Sequence, residues 1–237
     1  MGRAFEYRKE KKFKRWDAMA KNFTRAGREI AIAVKEGGPD PSTNTKLRIA
    51  IQNAKGVQMP KDRIEAAIKR ASSKESGENY EEVLYEGYGP HGVAILVECT
   101  TDNNTRTVAN VRLIFSRANG ALGNSNSVVF NFERRGVFYI EKGKINLDEV
   151  ELDLIDGGAS DIYSDDEHVY IETSFTDFGS LQKKLEELNL EVQKSELRYV
   201  PMNKVAVTAE QQEKIYALIE KLEEDDDVQN VFHNMEE

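Results

Sequence analysis

The sequence has little cysteine, histidine or proline, and it has no long apolar segment. Its 237 residues include one cysteine, three histidines and five prolines. The single Cys99 cannot form an internal disulfide and lies in the apolar segment 93–99, so we expect a buried, inert thiol and a reducing compartment. No stretch approaches the ~20 apolar residues that cross a bilayer, and residues 1–16 lack the apolar part of a signal peptide. These absences predict a cytoplasmic protein that does not enter a membrane.

Motifs of catalysis and cofactor binding are missing as well. The chain has no G-x-x-x-x-G-K-[ST] loop, no G-x-G-x-x-G after a strand and no G-x-S-x-G. His91, His168 and His233 are far apart and have no second ligand at metal spacing. The acidic segments 165–167 and 225–227 are predicted to be solvated turns, although carboxylates that converge in a pocket would indicate an enzyme. We therefore expect no enzymatic activity, no metal and no cofactor.

Charge is distributed very unevenly along the chain. The net charge of −9 combines +10 over residues 1–75 with −19 over residues 76–237. An asymmetry of this size indicates a polyanionic partner for the basic part, which the acidic remainder would repel. The alternative is that the two parts neutralise each other within the molecule. The first 28 residues alone hold 10 Lys and Arg against 3 acidic residues, which favours an external partner.

The basic segment supplies the candidate binding residues. Lysine and arginine neutralise phosphates and release counterions, and interleaved aromatic rings can stack on unpaired bases. Phe23 is an exception, because its spacing matches the apolar stripe of a helix and predicts a core position. The charges could also form a merely solvated face, but their density exceeds what solubility requires. The candidate nucleic-acid-binding residues are Arg8, Lys9, Lys11, Lys12, Lys14, Arg15, Lys21, Arg25 and Arg28.

The first third of the chain has a helical pattern. Residues 1–16 show no apolar period and are predicted to be an arm. Three helices are expected after it: one from Asp17 to the glycines at 37–38, one from the cap candidates Ser42 and Thr43 to Gly56, and one opened by Pro60. Residues 72–79 are predicted to be a linker.

Beyond residue 80 the spacing of apolar residues indicates strands that alternate with helices. Segments 93–99 and 127–132 are predicted strands around a helix that follows cap residues at 100–104 and ends at Gly120, and the glycine-rich segment 86–92 is predicted to be a turn. Residues 137–198 repeat the order β-α-β-β-α-β of a ferredoxin-like domain. A strand at 205–208, a helix at 209–224 and a strand at 228–232 would complete the first unit. The expected fold is α+β: a three-helix domain (1–75), then a ferredoxin-like domain (80–132 plus 201–237) with a second one (133–200) inserted in it.

Several segments in order along the chain resemble the YebC/PmpR family of bacterial regulators, which includes the mitochondrial translational activator of cytochrome oxidase. They are EGGPDP at 36–41, MPKD at 59–62, IEAAIKR at 64–70, YEGYGPHG at 85–92, VECTTDN at 97–103, RTVANVR at 106–112 and FNFERRG at 130–136. The resemblance implies three domains, no enzymatic activity and no cofactor. Its matching segments add four candidate nucleic-acid-binding residues: Lys61, Arg63, Tyr85 and Tyr88. The usual Gly-His-Ser-Lys-Trp start of the family is replaced by Gly2-Arg3-Ala4-Phe5-Glu6.

The predicted function is that of a non-catalytic, nucleic-acid-binding regulator of gene expression. The resemblance implies a DNA-binding transcriptional regulator, or alternatively a ribosome-associated translation factor that binds rRNA or tRNA. The absence of a clear recognition helix and the two acidic domains favour structured RNA, whereas the usual description of the family favours DNA. A protein-interaction scaffold is a further alternative.

Overall fold

The computed structural model describes residues 3–73 and 80–236, with side chains from residue 19 onward. Two compact units are present, Met1–Tyr80 and Glu81–Glu237. No helix in the described part of the chain is both long and apolar enough to cross a bilayer.

The first unit consists of three helices, as predicted. They are α1 (Arg3–Gly37), α2 (Thr45–Gly56) and α3 (Lys61–Ser72). Each helix contributes one apolar stripe to a shared core, which includes Ile30 of α1, Leu47 of α2 and Ile64 of α3. The prediction of an irregular arm over residues 1–16 was wrong from Arg3 onward, where α1 begins. Lysine, arginine, glutamate and alanine are abundant there and are strong helix formers, so the helix continues without an apolar face.

A buried asparagine joins α1 to α2. The side chain of Asn44 accepts a hydrogen bond from the Leu47 N–H (2.9 Å) and donates to the carbonyls of Ala33 (2.7 Å) and Gly38 (2.8 Å). It therefore caps α2 and satisfies carbonyls at the end of α1 with one group. The cap is this residue rather than the predicted Ser42 or Thr43.

The first sheet of the second unit has four antiparallel strands in the order β3-β1-β2-β8. The strands are β1 (Glu81–Tyr88), β2 (Ala94–Thr101), β3 (Ala121–Leu122) and β8 (Val228–His233), and the helices are α4 (Asn104–Arg117) and α7 (Ala209–Glu223). The continuous apolar run of β2 is explained by burial on both faces. Ile95 and Val97 pack with α4 and α7, whereas Ala94 and Leu96 pack with Phe132.

Two of the predicted strands of this sheet were wrong. Segment 127–132 contains a 3₁₀ turn, Val129–Asn131, and Val205 makes only an isolated bridge to Met235. The strand that was not predicted is β1, which covers residues 81–88 and includes the first three residues of the predicted turn; the rest of that segment does turn, with a 3₁₀ turn at Pro90–Gly92. The alternation of polar and apolar residues in β1 is obscured because Glu86 is buried and glycines occupy positions 87 and 89.

The second sheet follows the predicted order β-α-β-β-α-β. Its elements are β4 (Phe132–Glu141), α5 (Leu147–Asp156), β5 (Ala159–Ser164), β6 (His168–Ser174), α6 (Phe178–Glu187) and β7 (Val192–Pro201). The spatial order β5-β6-β4-β7 is that of a ferredoxin-like sheet. The chain leaves the first sheet after β3, builds the whole second sheet, and returns for α7 and β8. The α+β fold class is confirmed, with the whole second sheet inserted between β3 and α7 of the first, although the first unit has the order β-β-α-β-α-β and not β-α-β-β-α-β. The exact domain bounds stay a prediction.

Candidate nucleic-acid interface

A groove of about 650 Å³ runs between α1 and α3 in the helical unit. Its lining follows the helical repeat on both sides. On α1 the positions recur every three or four residues from Ala20 to Lys35, and on α3 from Arg63 to Ala71. The lining residues are Ala20, Phe23, Thr24, Gly27, Arg28, Ala31, Ile32, Lys35, Met59, Arg63, Ala66, Ala67, Arg70, Ala71, Ser73 and Tyr80.

Four cations line this groove, and no described aspartate or glutamate does. Arg28 and Lys35 lie two turns apart on α1, and Arg63 and Arg70 lie two turns apart on α3. A concave surface with one sign of charge raises the local concentration of ligands of the opposite sign. This arrangement can therefore hold an anionic group, and a polyphosphate in particular.

Two of the guanidinium groups lie over aromatic rings. The Cζ atom of Arg63 is 5.6 Å from the centroid of the Phe23 ring, and that of Arg28 is 5.4 Å from the centroid of the Tyr80 ring. Cation–π contacts of this length hold the guanidinium planes in place. Phe23 is half-buried and packs against the core, as predicted, but it also lines the groove.

Three of the four groove cations differ from Lys46 and Lys61 in their partners. Lys46 pairs with Glu36 at 3.1 Å, and Lys61 pairs with Glu65 at 3.6 Å. Among the described residues, by contrast, no ion pair is formed by Lys35, Arg63 or Arg70. Their charges are therefore not offset locally by a carboxylate.

The predicted binding residues are placed as follows. Lys21, Arg25 and Arg28 are all half-buried on α1, but only Arg28 lines the groove. The other six have side chains outside the described part of the structure: Arg8, Lys9, Lys11, Lys12, Lys14 and Arg15.

The four candidates taken from the family resemblance lie in three different settings. Arg63 lines the groove, whereas Lys61 is exposed and paired with Glu65. Tyr88 is 39% exposed in the second unit, where its hydroxyl lies 3.4 Å from the Ser127 carbonyl. Tyr85 is only 8% exposed and its ring belongs to the core of the first sheet. Its hydroxyl donates to Asn104, and burial raises the pKa of Tyr85 to about 12. Because the ring is buried, it presents no face to a ligand.

The sequence candidates did not include the groove cations Lys35 and Arg70 or the ring of Tyr80. The spacing of seven residues between Arg28 and Lys35, and again between Arg63 and Arg70, was the available signal. It places each pair of cations on one face of its helix. It does not indicate that the two faces adjoin, because that depends on how α1 and α3 pack.

The acidic residue Glu86, in the segment 85–92, has a structural role. Glu86 is 5% exposed, and its carboxylate accepts hydrogen bonds from the N–H groups of Asn126 (2.6 Å), Val128 (2.7 Å) and Val129 (2.8 Å). A buried carboxylate is stable when several donors surround it. Glu86 thus holds the loop that leads into β4, and it is not exposed to a ligand.

A second cavity, of about 700 Å³, lies between α4 and α7 in the second unit. It is also lined by cations, but Lys214 is bound to Glu210 and Lys221 to Glu224, each at 2.8 Å. Metal-binding clusters are not found in the described residues, where no three His, Cys, Asp or Glu side chains converge. The groove of the helical unit is therefore the better candidate for an anionic ligand.

Comparison with known proteins places the chain in a family. A model described as the TACO1/YebC protein N-terminal domain matches residues 3–74, and one described as the TACO1/YebC second and third domain matches residues 80–235. The chain belongs to the TACO1/YebC family. The resemblance noted from the sequence is confirmed.

Relatives of this TACO1/YebC chain include two bacterial proteins named "Probable transcriptional regulatory protein". The one from Cytophaga hutchinsonii is 56% identical and the one from Flavobacterium johnsoniae is 52% identical, each over 237 residues. All of this chain is covered in both comparisons, together with 99% and 100% of the two relatives. A crystal structure of a conserved hypothetical protein from Aquifex aeolicus is 38% identical, with a TM-score of 0.82. That comparison covers 92% of this chain and 90% of the Aquifex chain.

Proposed function

We propose that this protein is a non-catalytic regulator of gene expression that binds nucleic acid through the groove of its helical unit. The observation that carries the proposal is the set of four cations around a concavity whose described lining contains no carboxylate. Phosphodiester chains are the abundant polyanions of a cell, and contacts with their phosphates supply most of the affinity of sequence-independent binding. The names of the relatives, as probable transcriptional regulators, support the same conclusion.

The charge distribution along the chain supports an oriented mode of binding. Residues 1–75 carry a net charge of +10 and residues 76–237 carry −19. Phosphates attract the first part and repel the second, so the helical unit approaches the nucleic acid first. The sequence N-terminal to the groove adds six cations to this part: Arg8, Lys9, Lys11, Lys12, Lys14 and Arg15.

DNA is the target that the names of the relatives favour. Ribosomal RNA or tRNA is the second candidate, and the opposed charges of the two parts of the chain favour it. A surface of ribosomal RNA interspersed with basic proteins offers partners to both the cationic and the anionic part. A DNA duplex offers a partner only to the cationic part.

Crosslinking in cells tests the proposal and distinguishes the two targets. The full-length protein is crosslinked by ultraviolet light, and the bound nucleic acid is purified and sequenced. Recovery of promoter DNA supports the transcriptional role, and recovery of rRNA or tRNA supports the translational one.

Two variants with the same net charge provide the matched comparison. The groove variant reverses the four lining cations by substitution with glutamate: Arg28, Lys35, Arg63 and Arg70. The control variant reverses four exposed lysines that do not line the groove: Lys46, Lys55 and Lys69 of the same unit, and Lys204 of the second unit. We expect the groove variant to lose most crosslinked nucleic acid and the control to keep most of it. Equal loss in both variants would contradict binding at the groove, and no crosslinking of the unaltered protein would contradict nucleic-acid binding altogether.

A further inference from the structure

We propose that the groove between α1 and α3 binds a single strand, with an unpaired nucleotide seated in it, and does not bind a duplex. This inference rests on the proposed function and specifies the form of nucleic acid that the site recognises.

The shape of the site carries the first part of the argument. Proteins that recognise a duplex insert a protruding helix or ribbon into a groove of the nucleic acid. Here the relation is reversed, because Arg28, Lys35, Arg63 and Arg70 line a concavity in the protein. The volume of this concavity, about 650 Å³, is that of a site for a small ligand, the size class of one or two nucleotides.

The aromatic rings that line the groove also favour a single strand. Proteins that bind single strands combine a cationic groove with aromatic side chains on which bases stack. Phe23 and Tyr80 both line this groove, and each is paired with a guanidinium group, at 5.6 Å and 5.4 Å. Bases also stack on guanidinium planes. An unpaired base thus finds flat, positioned partners beside the charges that hold its phosphate.

Gly27 provides a third observation, because it leaves space in the groove. It lies in the interior of α1, where glycine destabilises a helix relative to alanine. A Cβ atom at this position would have no atom within 4 Å, so packing does not require the glycine. Gly27 lines the groove together with small residues such as Ala31, Ala66 and Ala67. These residues leave the space open, and a large side chain at position 27 would fill it.

Binding of the full-length protein to two fluorescein-labelled probes tests the inference. One probe is a single-stranded RNA of about twelve nucleotides, and the other is a blunt duplex of the same sequence, each titrated by fluorescence anisotropy at one salt concentration. We expect the single strand to bind at least about tenfold more tightly. Tyr80→Leu should weaken single-strand binding about 5- to 150-fold, the range that the loss of stacking with one base predicts.

Gly27→Leu tests whether binding requires the open space beside Gly27, and it changes no charge. We expect it to weaken single-strand binding by about tenfold or more, because the side chain occupies the place of the nucleotide. Gly179→Leu is the matched control, because Gly179 lies in α6 of the second unit and an added Cβ there would also have no atom within 4 Å; it should stay within about twofold of the unaltered protein. Both substitutions favour the helix in which they lie, so circular dichroism should show that the helices are retained.

The outcomes separate this inference from the proposed function. Equal affinity for both probes, or full single-strand binding by Gly27→Leu, would overturn the inference. If binding still depends on the groove cations in that case, the proposed function stands. Absence of salt-dependent binding to either probe would overturn both.

Discussion

Removing the groove charges should change how strongly nucleic-acid binding depends on salt. The variant carries glutamine in place of four residues: Arg28, Lys35, Arg63 and Arg70. Each phosphate neutralised on a single strand contributes about −0.7 to the slope of log K against log salt concentration, so four contacts contribute about −2.8. A fourfold rise in salt, from 50 to 200 mM, then costs about 50-fold in affinity through these four residues alone.

Anisotropy titrations of a labelled single strand at several salt concentrations measure this slope. We expect the slope of the glutamine variant to be shallower than that of the unaltered protein by about 2.8. The control replaces Lys46, Lys55, Lys69 and Lys204 by glutamine, which removes the same charge from outside the groove. Its slope should change by less than about 0.7, the contribution of one phosphate. The reasoning is refuted if both variants show the same slope, because the effect would then follow net charge and not the groove.

Three further predictions concern the second unit. Glu86→Ala should lower the free energy of unfolding by about 3–6 kcal/mol, since the N–H groups of Asn126, Val128 and Val129 lose a charged acceptor; urea unfolding measures this, and unchanged amide exchange at Val128 would contradict it. The pKa of Asp165 is lowered to about 2 by the hydroxyl of Tyr170 and by two backbone N–H groups, so Tyr170→Phe should raise that pKa toward 3.8. The stability that this lowered pKa supplies is present above pH ~4 and is lost as the pH falls toward 2; NMR titration follows the carboxyl, and an unmoved pKa would contradict the assignment. Burial raises the pKa of Glu98, so its contribution to stability is lost as the pH rises through that value. Glu98→Gln should therefore raise the melting temperature at pH 7 but not near pH 4, and an equal effect at both would contradict this.

Much of the fold could be predicted from periodicity, because helices and strands repeat their neighbours at fixed spacings. The three N-terminal helices and the β-α-β-β-α-β order of residues 132–201 follow from such spacings. Strand β1 could not be found in this way, since Glu86 is a charged residue at a buried position. What makes that burial possible is a loop some forty residues away in the chain, which supplies the N–H donors.

The same division applies to the candidate site. The excess of cations in the first third of the chain is a property of the sequence, and it was sufficient to indicate a polyanionic partner. Helical spacing also places Arg28 with Lys35, and Arg63 with Arg70. Only the packing of α1 against α3 brings the two pairs to one groove, which Tyr80 also lines. Local spacing determines which side chains share a face of one element, whereas contacts between elements depend on the core that they bury together.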